Sequence, residues 1–239
     1  MTEYLVGTVG FPIQRSRVLE RVTLVELTDA RHIPPSTRAA RRMAADIPDG
    51  VRLSVQASQF FAETAPQQTT LKGDPSAYGA FQLSDEMRSL WQRQIDFATE
   101  LNAAAIVLIT PPSITPSSFF IDRIQGFFDA MRPWPVPVVW EPHGPWDMAQ
   151  AQALSAQLGL VLAVDPLRDD PMPGDVAYFR FGPFSVMGAR MGAYDLERIA
   201  AAGEGFDTVC CAFDTRRALD DAHNLQHVLN SGTLDDFDF

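Results

Sequence analysis

Eight short runs of apolar, strand-forming residues are spaced along the chain, and helical patterns fill most of the gaps between them. Nearly every run ends on a polar or charged side chain followed by Gly, Pro or a polar turn. The runs are residues 4–8, 22–26, 51–56, 104–109, 136–141, 160–165, 176–180 and 208–214. Runs of about five residues joined by helical crossovers are typical of parallel strands, and eight of them fit a closed barrel. The pattern therefore predicts an α/β fold: a single (β/α)8 TIM-type barrel.

The gaps between the runs differ in their helical content. Six gaps carry helical spacing and start signals such as Ser84-Asp85-Glu86, in residues 35–45, 84–102, 115–131, 146–158, 194–202 and 216–229. Residues 11–21 and 167–175 lack a convincing helix, so short or missing helices are expected after strands 1 and 6. Residues 58–83 are too many for a bare loop, which predicts either a lid over the barrel mouth or a small structure of its own.

Length and composition narrow the class of protein. The 239 residues suit one barrel of roughly 250 residues, so we predict a barrel domain over 1–232 and an acidic tail over 233–239. The net charge of −11 disfavours nucleic acid as a partner. No apolar stretch approaches the ~20 residues of a membrane span, and the first residues lack the features of a signal peptide. We therefore expect a cytoplasmic protein with no membrane association.

Two residue types exclude particular chemistries. Lys72 is the only lysine among the 19 basic residues and lies in a polar segment outside the strands, which argues against a Schiff-base aldolase. Cys210 and Cys211 are adjacent in a β run, where successive side chains point to opposite faces. A disulfide between them is not expected, and both are interpreted as small apolar fillers.

Alternation along each strand predicts which side chains point into the barrel. Residues at i, i−2 and i−4 share a face, so counting back from each polar strand end gives an inward-facing set at the C-terminal mouth, where barrel active sites lie. The predicted ring at the mouth is Thr8, Glu26, Gln56, Ile109, Glu141, Asp165, Arg180 and Asp214. Four carboxylates in this ring face one arginine.

Several sequence blocks resemble a known family. The blocks are residues 7–12 (Gly-Thr-Val-Gly-Phe-Pro), 25–26 (Val-Glu), 111–113 (Pro-Pro-Ser), 140–142 (Trp-Glu-Pro), 164–166 (Val-Asp-Pro), 178–180 (Tyr-Phe-Arg) and 213–214 (Phe-Asp). In order and spacing they resemble the signature blocks of the YecE-like family, also called domain of unknown function 72, over nearly the whole chain. The resemblance implies a TIM-type barrel but brings no established activity.

The chain departs from the family pattern at several polar positions. Family lysine, glutamine and asparagine positions are occupied by Gln56, Ile109 and Asp214, respectively. The block after strand five reads Glu141-Pro142-His143, and Gly182-Pro183 replaces a family His-Gly. Basic and amide groups are lost while acidic groups and Arg180 remain, so the family ligand would be bound differently here, or not at all.

Three interpretations of the mouth remain open. In the first, Arg180 and its surrounding carboxylates form a buried ion-pair network without chemistry. In the second, Glu26 and Glu141 act as general acid and base, Asp165 orients them, and Arg180 holds an anionic group of a small ligand. In the third, a divalent metal ion is a cofactor. Its candidate ligands are Glu26, Glu141, His143, Asp165 and Asp214, above all His143, Glu141 and Asp165.

Two further segments are candidates for binding. The loops after strands seven and eight, with Gly182, Gly188 and Arg216, occupy the usual position of a phosphate cradle in such barrels. The tail Leu-Asp-Asp-Phe-Asp-Phe is a candidate docking peptide for a protein partner. We predict an enzyme or binder of a small anionic ligand that carries phosphate or carboxylate. The alternative is a non-catalytic scaffold with a degenerate site.

Overall fold

A computed structural model describes residues 2–182 and 191–231. Eight strands and seven α-helices alternate along this part of the chain. The strands are β1 (Glu3–Val9), β2 (Leu24–Leu27), β3 (Arg52–Gln56), β4 (Ala105–Thr110), β5 (Val138–Pro142), β6 (Val161–Val164), β7 (Val176–Phe181) and β8 (Thr208–Phe213). The helices are α1 (Arg15–Leu19), α2 (Thr37–Ala45), α3 (Asp85–Glu100), α4 (Ser118–Ala130), α5 (Met148–Leu158), α6 (Ala193–Ala202) and α7 (Ala218–Ser231).

The strands form a closed, all-parallel barrel in chain order. The barrel closes where β8 pairs with β1, in a register that sets Glu3 opposite Thr208 and Thr8 opposite Phe213. A (β/α)8 barrel is therefore confirmed. Every predicted strand is present, with ends that differ from the predicted ones by at most two residues.

Helix starts follow the local capping chemistry. The Ser84 hydroxyl accepts a hydrogen bond from the Met87 amide at 3.1 Å, which satisfies a donor that the first turn of α3 would leave unpaired. The Ser36 side chain does the same for α2. Helix α4 begins at Ser118, two residues later than Pro116, because Ser117 is the cap.

The helices expected to be short or missing are so. Helix α1, after β1, has five residues. No helix lies between β6 and β7, where residues 165–175 form turns and bends. In the part of the chain that the structure describes, no helix combines the length and the apolar character needed to cross a membrane.

The chain divides into two compact units with separate cores. One contains β1, α1, most of β2, β7, α6, β8 and α7, and its buried aromatic rings include Phe181 and Phe213, stacked at 4.4 Å. The other contains α2, most of β3, α3, β4, α4, β5 and α5. Its core is an aromatic cluster with mostly edge-on contacts, formed by Phe61, Phe81, Trp91, Phe127, Phe128 and Trp134.

The long segment between β3 and α3 has a small structure of its own, the second of the two predicted alternatives. It contains 3₁₀ turns at Gln59–Phe61 and Pro75–Ala77. Its two ends are joined by backbone hydrogen bonds, including one from the Phe81 amide to the Phe61 carbonyl at 2.9 Å. Both of these phenylalanines are buried in the aromatic cluster, so the segment packs into the core at its base.

Strands β1 and β2 approach each other too closely for a side chain at Gly7. A Cβ built there lies 1.6 Å from the Leu24 carbonyl oxygen. Because that oxygen belongs to the backbone, the strands themselves would have to separate to relieve the contact.

We therefore expect Gly7→Ala to destabilise the fold by about 3 kcal/mol or more, the upper end of overpacking costs. Urea denaturation measures this loss. Gly174→Ala is the matched control, since a Cβ there meets nothing within 4 Å and its backbone needs no positive φ. Equal stability of the two variants would contradict the close approach of β1 and β2.

Candidate functional site

Glu26 is a wholly buried carboxylate near the carboxyl end of β2, with 0% exposure. The Tyr178 hydroxyl donates to Glu26 Oε2 at 2.8 Å. Arg180 Nε lies 3.2 Å from both carboxylate oxygens and donates to them. Hydrogen bonds from a hydroxyl and a guanidinium offset the cost of burying the charge, which would otherwise be several kcal/mol.

Arg180 connects this buried carboxylate to a half-exposed one. Its Nη2 donates to Asp214 Oδ2 at 3.4 Å. The side chain of Arg180 is 7% exposed, whereas that of Asp214 is 48% exposed. The predicted ion pair between Arg180 and a mouth carboxylate is therefore present, and the pairs run from the interior to solvent.

Strand alternation explains how the three partners come together. Tyr178 and Arg180 are two residues apart on β7 and so share one face of the strand. Asp214 directly follows β8, and its amide donates to the Phe181 carbonyl at 2.7 Å. This backbone bond holds the end of β8 beside the end of β7, which brings Asp214 within reach of Arg180.

Asp165 makes its contacts within its own turn after β6. Its Oδ1 accepts from the Leu167 amide at 3.0 Å, and Oδ2 lies 3.6 Å from Arg168 Nε. The Asp165 carbonyl also accepts from the amides of Arg168 and Asp169. The described contacts thus give this carboxylate a turn-stabilising part, and its predicted orienting role in the site stays a prediction.

Glu141 and His143 form a pair of their own in the other unit. His143 Nε2 lies 3.2 Å from Glu141 Oε1, and the imidazole is half exposed. The His143 amide donates to the Thr110 carbonyl, which fixes the backbone just after β5. The nearby Trp140 is core packing, as its buried ring donates from Nε1 to Thr110 Oγ1.

The predicted phosphate cradle is described only in part. Gly182 faces open space, Gly188 lies outside the described residues, and Arg216 is exposed in the turn before α7. The first turn of α7 carries Asp220 and Asp221, which place negative charge where a phosphate would need positive charge. The cradle stays a prediction, and the helix end near Arg216 does not favour it.

Other candidate ligating groups are accounted for within the described residues. No group of three or more His, Cys, Asp or Glu side chains is arranged there to hold a metal ion. Both cysteines are free and buried, as expected of fillers, and burial raises the pKa of Cys210 to about 12. A thiol of this kind is not a nucleophile at neutral pH.

Tyr178 is the one partner in this site that strand-end polarity alone did not identify. The signal was present, because Tyr178 lies two residues before Arg180 on the same face of the strand. Its hydroxyl could not be assigned a partner from sequence, since that depends on the distance between β7 and β2 across the interior.

We expect Arg180→Met to destabilise the protein by about 3–5 kcal/mol, the usual cost of leaving a buried charge without its partner. Arg168→Met is the matched control, since Arg168 is mostly exposed and pairs with Asp165 at 3.6 Å. An exposed pair of that kind contributes about 1 kcal/mol or less. Urea denaturation of both variants provides the test, and similar losses would contradict a buried network around Arg180.

Comparisons with known proteins bear on the fold. No family model and no curated protein sequence matches the chain. A DUF72 family protein (domain of unknown function 72) from Enterococcus faecalis V583 is 13% identical, with a TM-score of 0.72 over 95% of this chain and 98% of that one. A DUF72 family protein from Thermotoga maritima MSB8 is 17% identical, with a TM-score of 0.68 over 95% and 99%.

A more distant likeness extends beyond that family. A xylose isomerase domain containing protein from Salmonella typhimurium LT2 is 13% identical, with a TM-score of 0.56 over 96% of both chains. At these identities the likeness shows the fold alone. It supports the resemblance seen in the sequence blocks: the chain has the (β/α)8 barrel fold of DUF72 family proteins.

Proposed function

We propose that the chain binds and turns over a small anionic ligand, with Arg180 as the group that holds the anion. The observation that carries this proposal is the graded network in which a buried, oriented guanidinium ends at a half-exposed carboxylate, Asp214. A guanidinium held on one side presents its remaining donors in a fixed geometry, which suits the oxygens of a phosphate or carboxylate.

In this proposal Glu26 positions Arg180 and transfers no proton. The carboxylate is fully buried and accepts hydrogen bonds from Tyr178 and Arg180. A ligand at the solvent-exposed edge therefore meets Glu26 only through the guanidinium. This differs from the acid/base role that strand-end polarity suggested for Glu26.

Asp214 is the carboxylate of the network that a ligand can reach. An incoming anion competes with it for Arg180, because both bind the same positive group. Once displaced from Arg180, its oxygens are able to accept a proton from the ligand. General base catalysis by Asp214 is thus coupled to binding of the anion.

Glu141 and His143 are the second acid/base pair in the proposal. A carboxylate 3.2 Å from an imidazole orients the ring and favours its charged form, an arrangement common in general acid/base catalysis. The predicted divalent metal, with His143, Glu141 and Asp165 as ligands, remains a second way to use these groups. The experiment below includes metal ions for this reason.

The ligand class is a small polyol acid or sugar phosphate. An anion anchor and a reachable carboxylate suit a molecule that has one charged end and hydroxyl groups to deprotonate. The xylose isomerase domain in the name of the Salmonella typhimurium neighbour agrees with sugars as first candidates. The competing candidate is a scaffold, which is favoured by the fact that Arg180 already pairs with two carboxylates.

The proposal is tested by ligand-induced stabilisation. We expect phosphate, sugar phosphates or sugar acids to raise the melting temperature, because a ligand that binds only the folded state stabilises it by RT ln(1 + [L]/Kd). At 100 times its Kd a ligand contributes about 2.7 kcal/mol. Each compound is measured with and without Mg²⁺ or Mn²⁺, and stabilisation that needs the metal supports the metal-assisted form.

Removing the competing carboxylate sharpens the test. We expect Asp214→Asn to bind phosphate about tenfold more tightly, since one like charge next to the anion is removed. Asp129→Asn is the matched control, because Asp129 is also an exposed carboxylate paired with an arginine, at 3.9 Å. No stabilisation by any compound, together with no difference between the two variants, would leave the scaffold function in place of ours.

A further inference from the structure

A groove of about 650 Å³ opens at the amino end of β1, between the last turns of α6 and α7. It lies wholly within the unit that contains these elements. Its lining includes Tyr4 and Val6 from β1, Glu204 after α6, and Val228, Leu229 and Asn230 from α7. This volume is within the range of sites that take up a ligand or a few large side chains.

The walls of the groove are fixed by hydrogen bonds that leave apolar surface inside. The Tyr4 hydroxyl donates to the Ala200 carbonyl at 2.6 Å, and Gln226 Nε2 donates to the Val6 carbonyl at 3.1 Å. Burial, with lesser contributions from Cys211 and Glu204, raises the pKa of Tyr4 to about 12. The floor is therefore poorly hydrated and apolar, while Glu204 and Asn230 are exposed at the rim.

The chain beyond α7 starts at this rim. Asn230 lines the groove, Ser231 ends α7, and Gly232 and Thr233 follow. Glycine directly after a helix is typical of a chain that turns back on itself. Only these two residues, with a reach of about 7 Å, separate α7 from the apolar side chain of Leu234.

The next residues have a pattern that matches the groove. Residues 237–239 read Phe-Asp-Phe. In an extended chain such alternation places both rings on one face and the carboxylate on the other. The exposed Glu204 at the rim disfavours a register that turns Asp238 inward. Charge and apolar pattern thus select the same orientation.

We propose that this groove is the intramolecular docking site of residues 234–239, with Phe237 and Phe239 inserted against Tyr4, Val228 and Leu229. Asp238 points to solvent in this arrangement. A protein partner that recognises the same acidic, aromatic segment would have to compete with the groove for it. Docking in the chain's own groove would then limit access to such a partner.

Chymotrypsin cleavage after Phe237 tests the proposal on the full chain. We expect cleavage at least tenfold slower than in a free peptide of residues 231–239, with the protection independent of protein concentration. Leu229→Asp places a charge in the groove and should raise the cleavage rate to that of the peptide. The matched control is Leu83→Asp, since Leu83 is 50% exposed and does not line the groove.

Hydrogen exchange provides a second arm that needs no substitution in the groove. Phe237→Ser combined with Phe239→Ser should raise the exchange rates of the Leu229 and Asn230 amides severalfold, and Asp238→Asn should not. Cleavage of the unaltered chain at the peptide's rate would overturn the proposal. So would protection that Leu229→Asp leaves intact, protection that is lost on dilution, or exchange that the Phe substitutions do not change.

Discussion

The burial of one carboxylate constrains the structure around the candidate site. Glu26 has no exposed surface, so its charge must be matched within the protein by groups that reach it from elsewhere in the chain. Tyr178 and Arg180 both reach it from β7, 152 and 154 residues further along the chain. The alternation of β7, the position of β2 and the end of β8 must all agree for this contact to form. A one-residue shift of β7 would turn both partners to the other face.

The same constraint links stability to the proposed function. A buried ion pair contributes little net stability compared with apolar residues of the same volume, yet removing one partner is costly. Its contribution here is geometric, since Arg180 is held from the inside by Glu26 and joined at the outside to Asp214. A group held in this way is already oriented when a ligand arrives, and ordering it costs no further free energy.

The sequence predicted the barrel well because its signals are local. Strand ends such as Glu26 and helix caps such as Ser84 are set by period and by neighbouring residues. The side-chain partners were predicted less completely, because they depend on distances between strands far apart in the chain. Asp165 has the same strand-end position as Arg180, but its partners are Leu167 and Arg168 in its own turn. Tyr178 was assigned to the correct face, but its bond to Glu26 required coordinates.

The measurement that tests the account most directly is the phosphate affinity of Glu26→Gln. This substitution removes a negative charge next to Arg180, so electrostatics alone would tighten anion binding. If Glu26 instead positions the guanidinium, the loss of orientation dominates. Our account predicts that the affinity for phosphate falls severalfold while the fold is retained. An affinity that rises or stays the same would show that Arg180 does not depend on Glu26 to hold an anion.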